Sequence, residues 1–595
     1  MKSFLKTLLA AFLGSLLSLF LGGIFLFAML GSLALMNQKS PIEIPSSTIL
    51  KIDFSMPVTE QSNDDPFSSL SLSDLSNGAS KSVGILNIIN AIDLAATDPA
   101  VKMIFLSPNN MNIGMSHIEE VRNALERFRK SGKPIIAYAN SYSAGNYYLA
   151  SVADKVYIND TGNAGIFGIG VNIMFFKDLL DKLGVGVQLI RHGKYKAAGE
   201  QLIANNISKE NEEQNSVMIN SIWDTWADAI VKSRGIPKEK LNSLVDNLQL
   251  GLPSTMEENK LVDKVMTRHQ IISQMCTLFG VKKEKELKVT TLAEYAAAKV
   301  KPNIKEKKKI AVIYANGEIS MEGNGIDAKR FAPMIDLINA DSSIKAVVLR
   351  VNSPGGDAQA AEIINQSLQE LRKNKPLIIS MGDYAASGGY WISAKSEKIF
   401  TDRTTITGSI GVFSLFFNIN KGLKEHLDIS MASVKTHAHS DAMGGMRALN
   451  EPEQKYMESF IEEIYTNFTG LVAKGRNLPV NYVDSIGQGR VWTGADAVKI
   501  KLADEIGGIN DAIAYAAQMA NLKGYRVSEY PVQKTSIEKL MDILSDTGES
   551  AKAVASATKL LTNPNSLIES SYKGIKKFNG IKTFARIPYA YDFSY

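Results

Sequence analysis

The chain has 595 residues, 45% of them hydrophobic, which is too apolar for intrinsic disorder and enough for three or four ordinary domains, or fewer if one large fold repeats. Its 66 basic and 61 acidic residues leave +5, and residues 281–310 alone hold ten Lys against four Glu, so the remainder is close to neutral. A nucleic-acid binder would instead coat a folded face with basic residues, so none is expected as a partner. A single cysteine, Cys276, excludes an intrachain disulfide and a cysteine-built zinc site.

After Lys2 and Lys6, the run Thr7 to Met36 carries no charge and is mostly Leu, Phe, Ala, Gly and Met. About 20 apolar residues span a bilayer as a helix, whereas the apolar region of a cleaved signal peptide covers only about 7–15. Residues 1–40 therefore read as a short cytoplasmic start and one uncleaved transmembrane anchor through residues 7–36. Lysines on the short amino-terminal side hold that side in the cytoplasm. Everything beyond Gln38 is expected on the extracytoplasmic face of a bacterial inner membrane, the periplasmic side in a Gram-negative cell.

From there strands and helices alternate. Ile49–Phe54 reads as a short strand, and Ile85, Ile88, Ile89, Ile92 and Ala96 recur at helical spacing. Val101–Leu106 is a buried strand, Ile118–Phe128 a helix, Pro134–Ala139 a strand and Ala144–Ala153 an apolar helix. The second half repeats this order: strand Ile310–Tyr314, helix Pro333–Ala340, strand Ile344–Val351, helix Ala360–Leu371, strand Pro376–Ser380, and a helix opening at Ser387–Ala394.

The correspondence reaches single residues. Lys133-Pro134 answers Lys375-Pro376, Ser107-Pro108 answers Ser353-Pro354, and Tyr147-Tyr148 answers Tyr390-Trp391. Asp154-Lys155 answers Glu397-Lys398, and Leu261-Val262-Asp263 answers Leu502-Ala503-Asp504. The offsets stay between 241 and 246, the mark of a tandem duplication with small insertions. The expected organisation is an anchor at 1–40, a first repeat at 41–280, a solvated Lys-rich linker at 281–309, a second repeat at 310–533 and an extension at 534–595. Alternation of this kind implies α/β units with largely parallel sheets.

The chemistry lies where the copies differ. The second copy has Asn352-Ser353-Pro354-Gly355-Gly356-Asp357 after a strand, while the first has Ser107-Pro108-Asn109-Asn110. Adjacent glycines let backbone N–H groups approach a developing oxyanion, although Pro-Gly-Gly alone is more often an ordinary turn. Ser387, in Ala385-Ala386-Ser387-Gly388-Gly389, sits at a strand-to-helix junction like a nucleophile elbow, and Gly388 offers a second backbone donor. The first copy has Ala144 in place of Ser387.

A serine nucleophile needs a base, and the six histidines form no convincing constellation; His437 and His439 belong to an exposed loop. Lys196, in Gly193-Lys194-Tyr195-Lys196, aligns with Ser440, so the second copy lacks this lysine. A lysine acts as base only if its pKa falls from ~10.4 toward about 7–8, which burial supplies. Ser409, opposite Ile166, is the candidate to hold the amine in place. Taken singly, Ser387 is as well explained by packing and Lys196 by surface charge. What sets them apart is that each copy lacks what the other keeps.

Together Asn352–Asp357, Met381–Trp391, Thr407–Gly411, Tyr195-Lys196 and Val491–Gly494 make the chain resemble the long, duplicated form of the signal peptide peptidase A family, the membrane-anchored serine proteases of peptidase family S49. The likeness runs from the anchor to about Tyr530. It implies a tandem duplication of a crotonase/Clp-protease-like unit preceded by one transmembrane helix. It further implies a Ser/Lys dyad of Ser387 as nucleophile and Lys196 as general base, with Ser409 steadying the lysine and Gly356 and Gly388 forming the oxyanion hole. The implied substrates are signal-peptide remnants left in the membrane and other small peptides, cut by a homotetramer that needs no metal and no cofactor. Three rival readings stand beside it: a dyad closed within the second repeat with Lys435 as base, an inactive membrane scaffold, and a crotonase-type acyl-CoA enzyme, disfavoured because an exported domain meets little coenzyme A. Whether Lys196 and Ser387 meet within one chain or between chains is open at this point. The tail is expected to pack between subunits or, less simply, to lie in the substrate groove.

Overall fold

The computed structural model describes residues 42–54, 56–62, 82–323, 325–533, 583–586 and 593–594, with scattered positions between 14 and 22. The anchor expected at residues 7–36 lies almost wholly outside the described residues. Among the described residues, no helix is long and apolar enough to cross a membrane.

Two sheets organise the chain, the first parallel throughout and the second parallel except for its edge strand Val491–Thr493, which pairs antiparallel with Ile406–Gly408. In the first, the spatial order is Lys264–Val265, Lys155–Ile158, Ile135–Ala139, Val101–Leu106, Thr48–Ile52 and Val289–Thr291, every pair parallel. The second runs Val491–Thr493, Ile406–Gly408, Leu377–Ala386, Ile344–Ser353, Lys309–Asn316 and Arg526–Tyr530, with Lys398–Thr401 and Glu505–Ile506 branching from Leu377–Ala386. Both central strands, Val101–Leu106 and Ile344–Ser353, read as near-continuous apolar runs because helices cover the sheets. The helices that follow them are Met115–Arg129 and Ala358–Arg372, reached by crossovers of the βαβ kind.

The duplication is visible down to hydrogen bonds. Tyr147 donates to the Leu261 carbonyl at 2.6 Å, and Tyr390 to the Leu502 carbonyl at 2.8 Å. The ammonium of Lys133 caps the carbonyls of Ala95 and Asp98, as that of Lys375 caps those of Ile338 and Asp341. Asp154 accepts from Ile135 N where Glu397 accepts from Leu377 N, and Asp263 accepts from Val156 N where Asp504 accepts from Ile399 N. Sequence positions about 240 apart are therefore equivalent in three dimensions.

The repeats are not two separate beads. One apolar cluster joins Ile104 and Ala137 of the first sheet to Val312, Val348 and Ile378 of the second and to Ile513 and Ala516 of helix Ile509–Met519. A third sheet crosses the boundary. Gly186–His192 of the first repeat pairs antiparallel with Val412–Asn418 of the second over seven residue pairs, from Gly186↔Asn418 to His192↔Val412. This sheet continues through Phe584–Arg586, Gly355–Asp357, Ile319–Ser320 and Ile326–Asp327.

A buried ionic cluster also stitches the two repeats together. Arg350, fully buried, donates to Glu60 at 2.7 Å and Glu120 at 2.6 Å, and to Ser380 Oγ and the Met381 carbonyl. His117 meets Glu60 at 2.9 Å, Ser116 donates through N and Oγ to Asp383, and Arg403 donates to Glu119. Burial opposes charge on His117, yet the Glu60 and Asp383 carboxylates hold its pKa up to about 9. Burial likewise pushes Glu60 upward, but Arg350 and His117 hold it down at about 2.

Beyond shifted element ends, such as the strand expected at Pro376–Ser380 that runs Leu377–Ala386, the structure departs from the sequence expectation at two places. The Lys-rich stretch is not simply a solvated connector: Val289–Thr291 forms the edge of the first sheet beside Thr48–Ile52, and Leu292–Lys299 is a helix. Thr291 and Glu294 cap that helix reciprocally, and Tyr295 donates to Asp98, so the few apolar and β-branched residues order the stretch while the lysines stay largely outside. The second departure is the helix expected to begin at Pro333, which instead spans Ala328–Ala340. Asp327 caps it by accepting from Arg330 N, and Pro333 faces solvent inside it, where one missing intrahelical bond is tolerated.

Candidate active site

Strand Leu377–Ala386 ends at Ser387, which has φ 55° and ψ −113° and caps the short helix Gly388–Trp391. A non-glycine residue with positive φ is strained by about 1–3 kcal/mol and persists only where its surroundings impose it. Here Ser387 N donates to the Gly408 carbonyl at 2.8 Å while its own carbonyl accepts from Trp391 N at 2.8 Å. The elbow turns the side chain out of the sheet edge into a closed site, where Ser387 is fully buried. The counterpart Ala144 instead starts an ordinary helix, Ala144–Ala150, after Ser143 at φ −93°.

Lys196 comes from the other repeat. Strand Gly186–His192 delivers it, and Arg191 donates to its carbonyl at 2.7 Å. Its Nζ lies 2.8 Å from Ser387 Oγ and donates to Ser409 Oγ at 3.0 Å and to the Ser409 carbonyl at 3.2 Å. The lysine is fully buried, and burial holds its pKa well below the usual ammonium range. Ser409, itself at φ 49°, is fixed by donation from its N to the Arg490 carbonyl at 2.7 Å. All three side chains meet within a single chain.

Gly356 and Gly388 also converge. A methyl group added at Gly388 would lie 3.2 Å from Gly356 N, and one added at Gly355 would lie 2.8 Å from Gly388 N. The two backbone donors therefore border one small space beside Ser387. Gly355 and Gly356, at φ 98° and 159°, adopt backbone angles that side chains other than glycine's resist. Across that space, Phe584–Arg586 of the carboxy-terminal extension runs antiparallel to Gly355–Asp357, with Phe584 also paired to Phe413.

Some site residues carry no sequence signal of their own. Gly489 and Gly411 form the wall against which Lys196 packs: a methyl at Gly489 would sit 2.5 Å from Lys196 Cβ, and one at Gly411 3.2 Å from Lys196 Cδ. The loop holding Gly489 is tied to the lysine loop by Tyr195 N donating to the Gln488 carbonyl at 2.9 Å, and by Gln214, which bonds both the Tyr195 carbonyl and Val491 N. Arg490 stacks on Tyr195 and Trp492 and donates to Glu213. A dipeptide such as Gln488-Gly489 reads as any turn; only the distant lysine explains it.

The other candidates lie elsewhere. Lys435 is on an exposed loop, its ammonium 3.3 Å from both the Ala438 carbonyl and Asp441. Ser440, aligned with Lys196, is exposed in the same loop, as is His437.

Comparison with known proteins agrees with the duplicated pattern. The model of "Peptidase family S49" matches residues 127–282 and again 369–523. "Protease 4" of Haemophilus influenzae is 33% identical over 528 residues, covering 84% of this chain and 84% of its own. "Serine protease SPPA, chloroplastic" of Arabidopsis thaliana is 30% identical over 486 residues, covering 80% of this chain and 71% of its own. Among solved structures, a point mutant of ClpP1 from Listeria monocytogenes covers 34% of this chain and 94% of its own at 15% identity, with a TM-score of 0.24 that is too low to weigh on the fold. With two matches of one family model, in register with the two repeats, and relatives aligned over most of their length, the chain belongs to peptidase family S49.

Proposed function

We propose that this serine protease cuts peptide bonds with a dyad split between its repeats, Ser387 as nucleophile and Lys196 as general base. The observation that carries this reading is the 2.8 Å approach of a buried amine, its pKa held well below the usual ammonium range by that burial, to the hydroxyl of a strained serine. A neutral amine has two N–H groups and one lone pair. Ser409 Oγ and the Ser409 carbonyl take the two hydrogens, which leaves the lone pair for the Ser387 hydroxyl. Ser409 is thus a positioning residue.

In the reaction, Ser387 Oγ attacks the scissile carbonyl as Lys196 takes its proton. The oxyanion accepts from the Gly356 and Gly388 N–H groups, and Lys196 then protonates the leaving amine as the C–N bond breaks. Water, deprotonated by the same lysine, attacks the acyl carbon, and Lys196 returns that proton to Ser387 Oγ as the Oγ–C bond breaks and the acid leaves. Removing one such oxyanion donor typically costs about 10²–10³-fold in turnover.

The expected substrates are signal-peptide remnants and other small hydrophobic peptides. Residues 7–36 would anchor the protease in the inner membrane with its site on the extracytoplasmic side, and the assembly would be a homotetramer. Support for this finer reading comes from the uncharged run at Thr7–Met36 and from the family resemblance.

The test is a pair of substitutions, Lys196→Ala and Lys435→Ala, in detergent-solubilised full-length protein. Peptidase turnover and labelling of Ser387 by a serine-reactive phosphonate should both collapse in Lys196→Ala and persist in Lys435→Ala. Activity lost only in Lys435→Ala would refute the cross-repeat dyad. No labelling of the unaltered chain would favour an inactive scaffold.

A further inference from the structure

The loop that carries Lys196 and the strand that fixes Ser409 are joined by one buried side chain. Gln214, on helix Lys209–Arg234, donates from Nε2 to the Tyr195 carbonyl at 3.0 Å and accepts at Oε1 from Val491 N at 3.2 Å. The Tyr195 carbonyl belongs to the peptide unit that ends in Lys196 N. The Val491 N–H belongs to the unit whose carbonyl, that of Arg490, accepts from Ser409 N at 2.7 Å. One amide thus grips two peptide planes, the first leading into the lysine and the second into the serine that orients it.

The grip is itself held. Nε2 also donates to Asn211 Oδ1 at 3.1 Å, so both hydrogens and the oxygen of the amide are engaged. Glu200, further along the lysine loop, accepts from Ser208 N at 2.6 Å and Ser208 Oγ at 3.1 Å, and Ser208 caps the same helix. The loop is therefore fastened to the helix at two points, Tyr195 and Glu200.

The sister copy supplies the contrast. Helices Lys209–Arg234 and Glu451–Arg476 are both 26 residues long. They end alike, Arg234 Nε donating to the Lys260 carbonyl and Arg476 Nε to the Lys501 carbonyl, each at 3.2 Å. In that register Gln214 answers Tyr456, which is exposed. The repeat without the lysine also lacks the clamp.

We propose that Gln214 is a positioning residue of the peptidase: its amide clamps the lysine loop of one repeat to the Ser409 support of the other and so holds Lys196 Nζ against Ser387. Its effect on catalysis rests on the dyad reading above, while the clamp itself does not. The charged groups around the lysine are Arg191, which donates to its carbonyl, and the pair of Arg490 and Glu213 beside the Tyr195 ring. Burial is what lowers the lysine's pKa. A loosened loop that admits water therefore returns it toward the ordinary ~10.4.

The experiment uses the full chain in detergent and a fluorogenic peptide substrate. Gln214→Met removes both bonds at similar length. Gln214→Glu keeps the acceptor for Val491 N but loses the donor, and its carboxylate favours the ammonium form of the lysine. Ser221→Ala is the control: Ser221 Oγ lies 2.8 Å from Thr493 Oγ1, joining the same helix to the same strand. Gln214→Met should lose about 10²-fold in kcat at neutral pH with KM within about twofold. The ascending limb of its pH profile of kcat should move up by about one pH unit or more, and Gln214→Glu should move it the same way. Ser221→Ala should lower only the urea midpoint. If Gln214→Met does not fold, the limb of Gln214→Glu decides. A limb that stays with that of the control in the folded Gln214 variants would overturn the positioning role, as would kcat within about threefold of the control. Absence of turnover and of phosphonate labelling in the unaltered chain would instead overturn the dyad, and amide hydrogen exchange at Val491 then reads the clamp. Exchange faster in Gln214→Met than in Ser221→Ala upholds the clamp, and equal exchange overturns it.

Discussion

Gly489→Ala probes the assembly of the site without touching any group that reacts. Gly489 has φ +80°, and its N donates to the Ile410 carbonyl at 2.7 Å. A β-carbon there would lie 2.5 Å from Lys196 Cβ and 2.6 Å from both Lys196 Cα and N. Carbon atoms settle at about 3.5–4.0 Å, so the two backbones must part by roughly 1 Å. The partner atoms are main chain, so no side-chain rotation relieves the clash. The Lys196–Ser387 distance of 2.8 Å then stretches beyond a hydrogen bond, and a 1 Å error in placement costs about 10²-fold in turnover. The left-handed alanine adds about 1–2 kcal/mol of strain. Gly235→Ala is the control: it has φ +65° at a helix end, with nothing within 4 Å of an added methyl, so it brings the strain without the clash. Steady-state kinetics with urea denaturation should show Gly489→Ala losing about 10²-fold in kcat, with Gly235→Ala losing only stability. Turnover of Gly489→Ala within threefold of the control would refute the claim that this glycine sets the lysine's position.

Three further outcomes are expected. Lys196→Met, of similar volume and without charge, should abolish turnover yet raise stability at neutral pH. The unfolded chain keeps the lysine protonated up to ~10.4 while the folded chain sheds that proton at much lower pH, so wild-type stability gains with rising pH across that interval and the variant should lack the gain in pH-dependent urea melts. His117 acts with the opposite sign: its folded pKa is raised to about 9, so its stabilising pairing is complete below ~6.5 and is lost as pH rises through 9. His117→Gln should flatten that fall, about 3 kcal/mol in size, in the same melts. Arg350→Met leaves Glu60 and Glu120 buried without their shared cation and should cost about 3–5 kcal/mol in urea unfolding, whereas little or no loss would mean the cluster does not hold the repeats together.

Much of this molecule could be read from its letters because it is written twice. Val101–Leu106 emerged as a strand with its observed bounds, and the remaining central elements differ mainly at their ends, where capping and pairing decide the last residues. Ser387, Lys196, Ser409 and the glycines were conspicuous because the sister copy has Ala144, Ser440, Ile166 and asparagines in their places. Residues without such a contrast stayed silent. Glu119 and Glu120 look like the solvated face of a helix, and only the arrival of Arg403 and Arg350 from almost three hundred and just over two hundred residues away turns them inward. Gly489 and the strand at Phe584–Arg586 depend in the same way on partners far along the chain, and no local spacing marks them.

The seam formed by Gly186–His192 against Val412–Asn418 gives the molecule a timing property. Synthesis delivers the lysine early and the serine nearly two hundred residues later, and the loop that braces the lysine follows a further hundred residues on. On the proposed dyad, a chain that stops short of Ser387 holds the amine without the hydroxyl it would activate. On that reading, competence would arrive only with the closing of that seam, and the completion of the architecture would arm the protease.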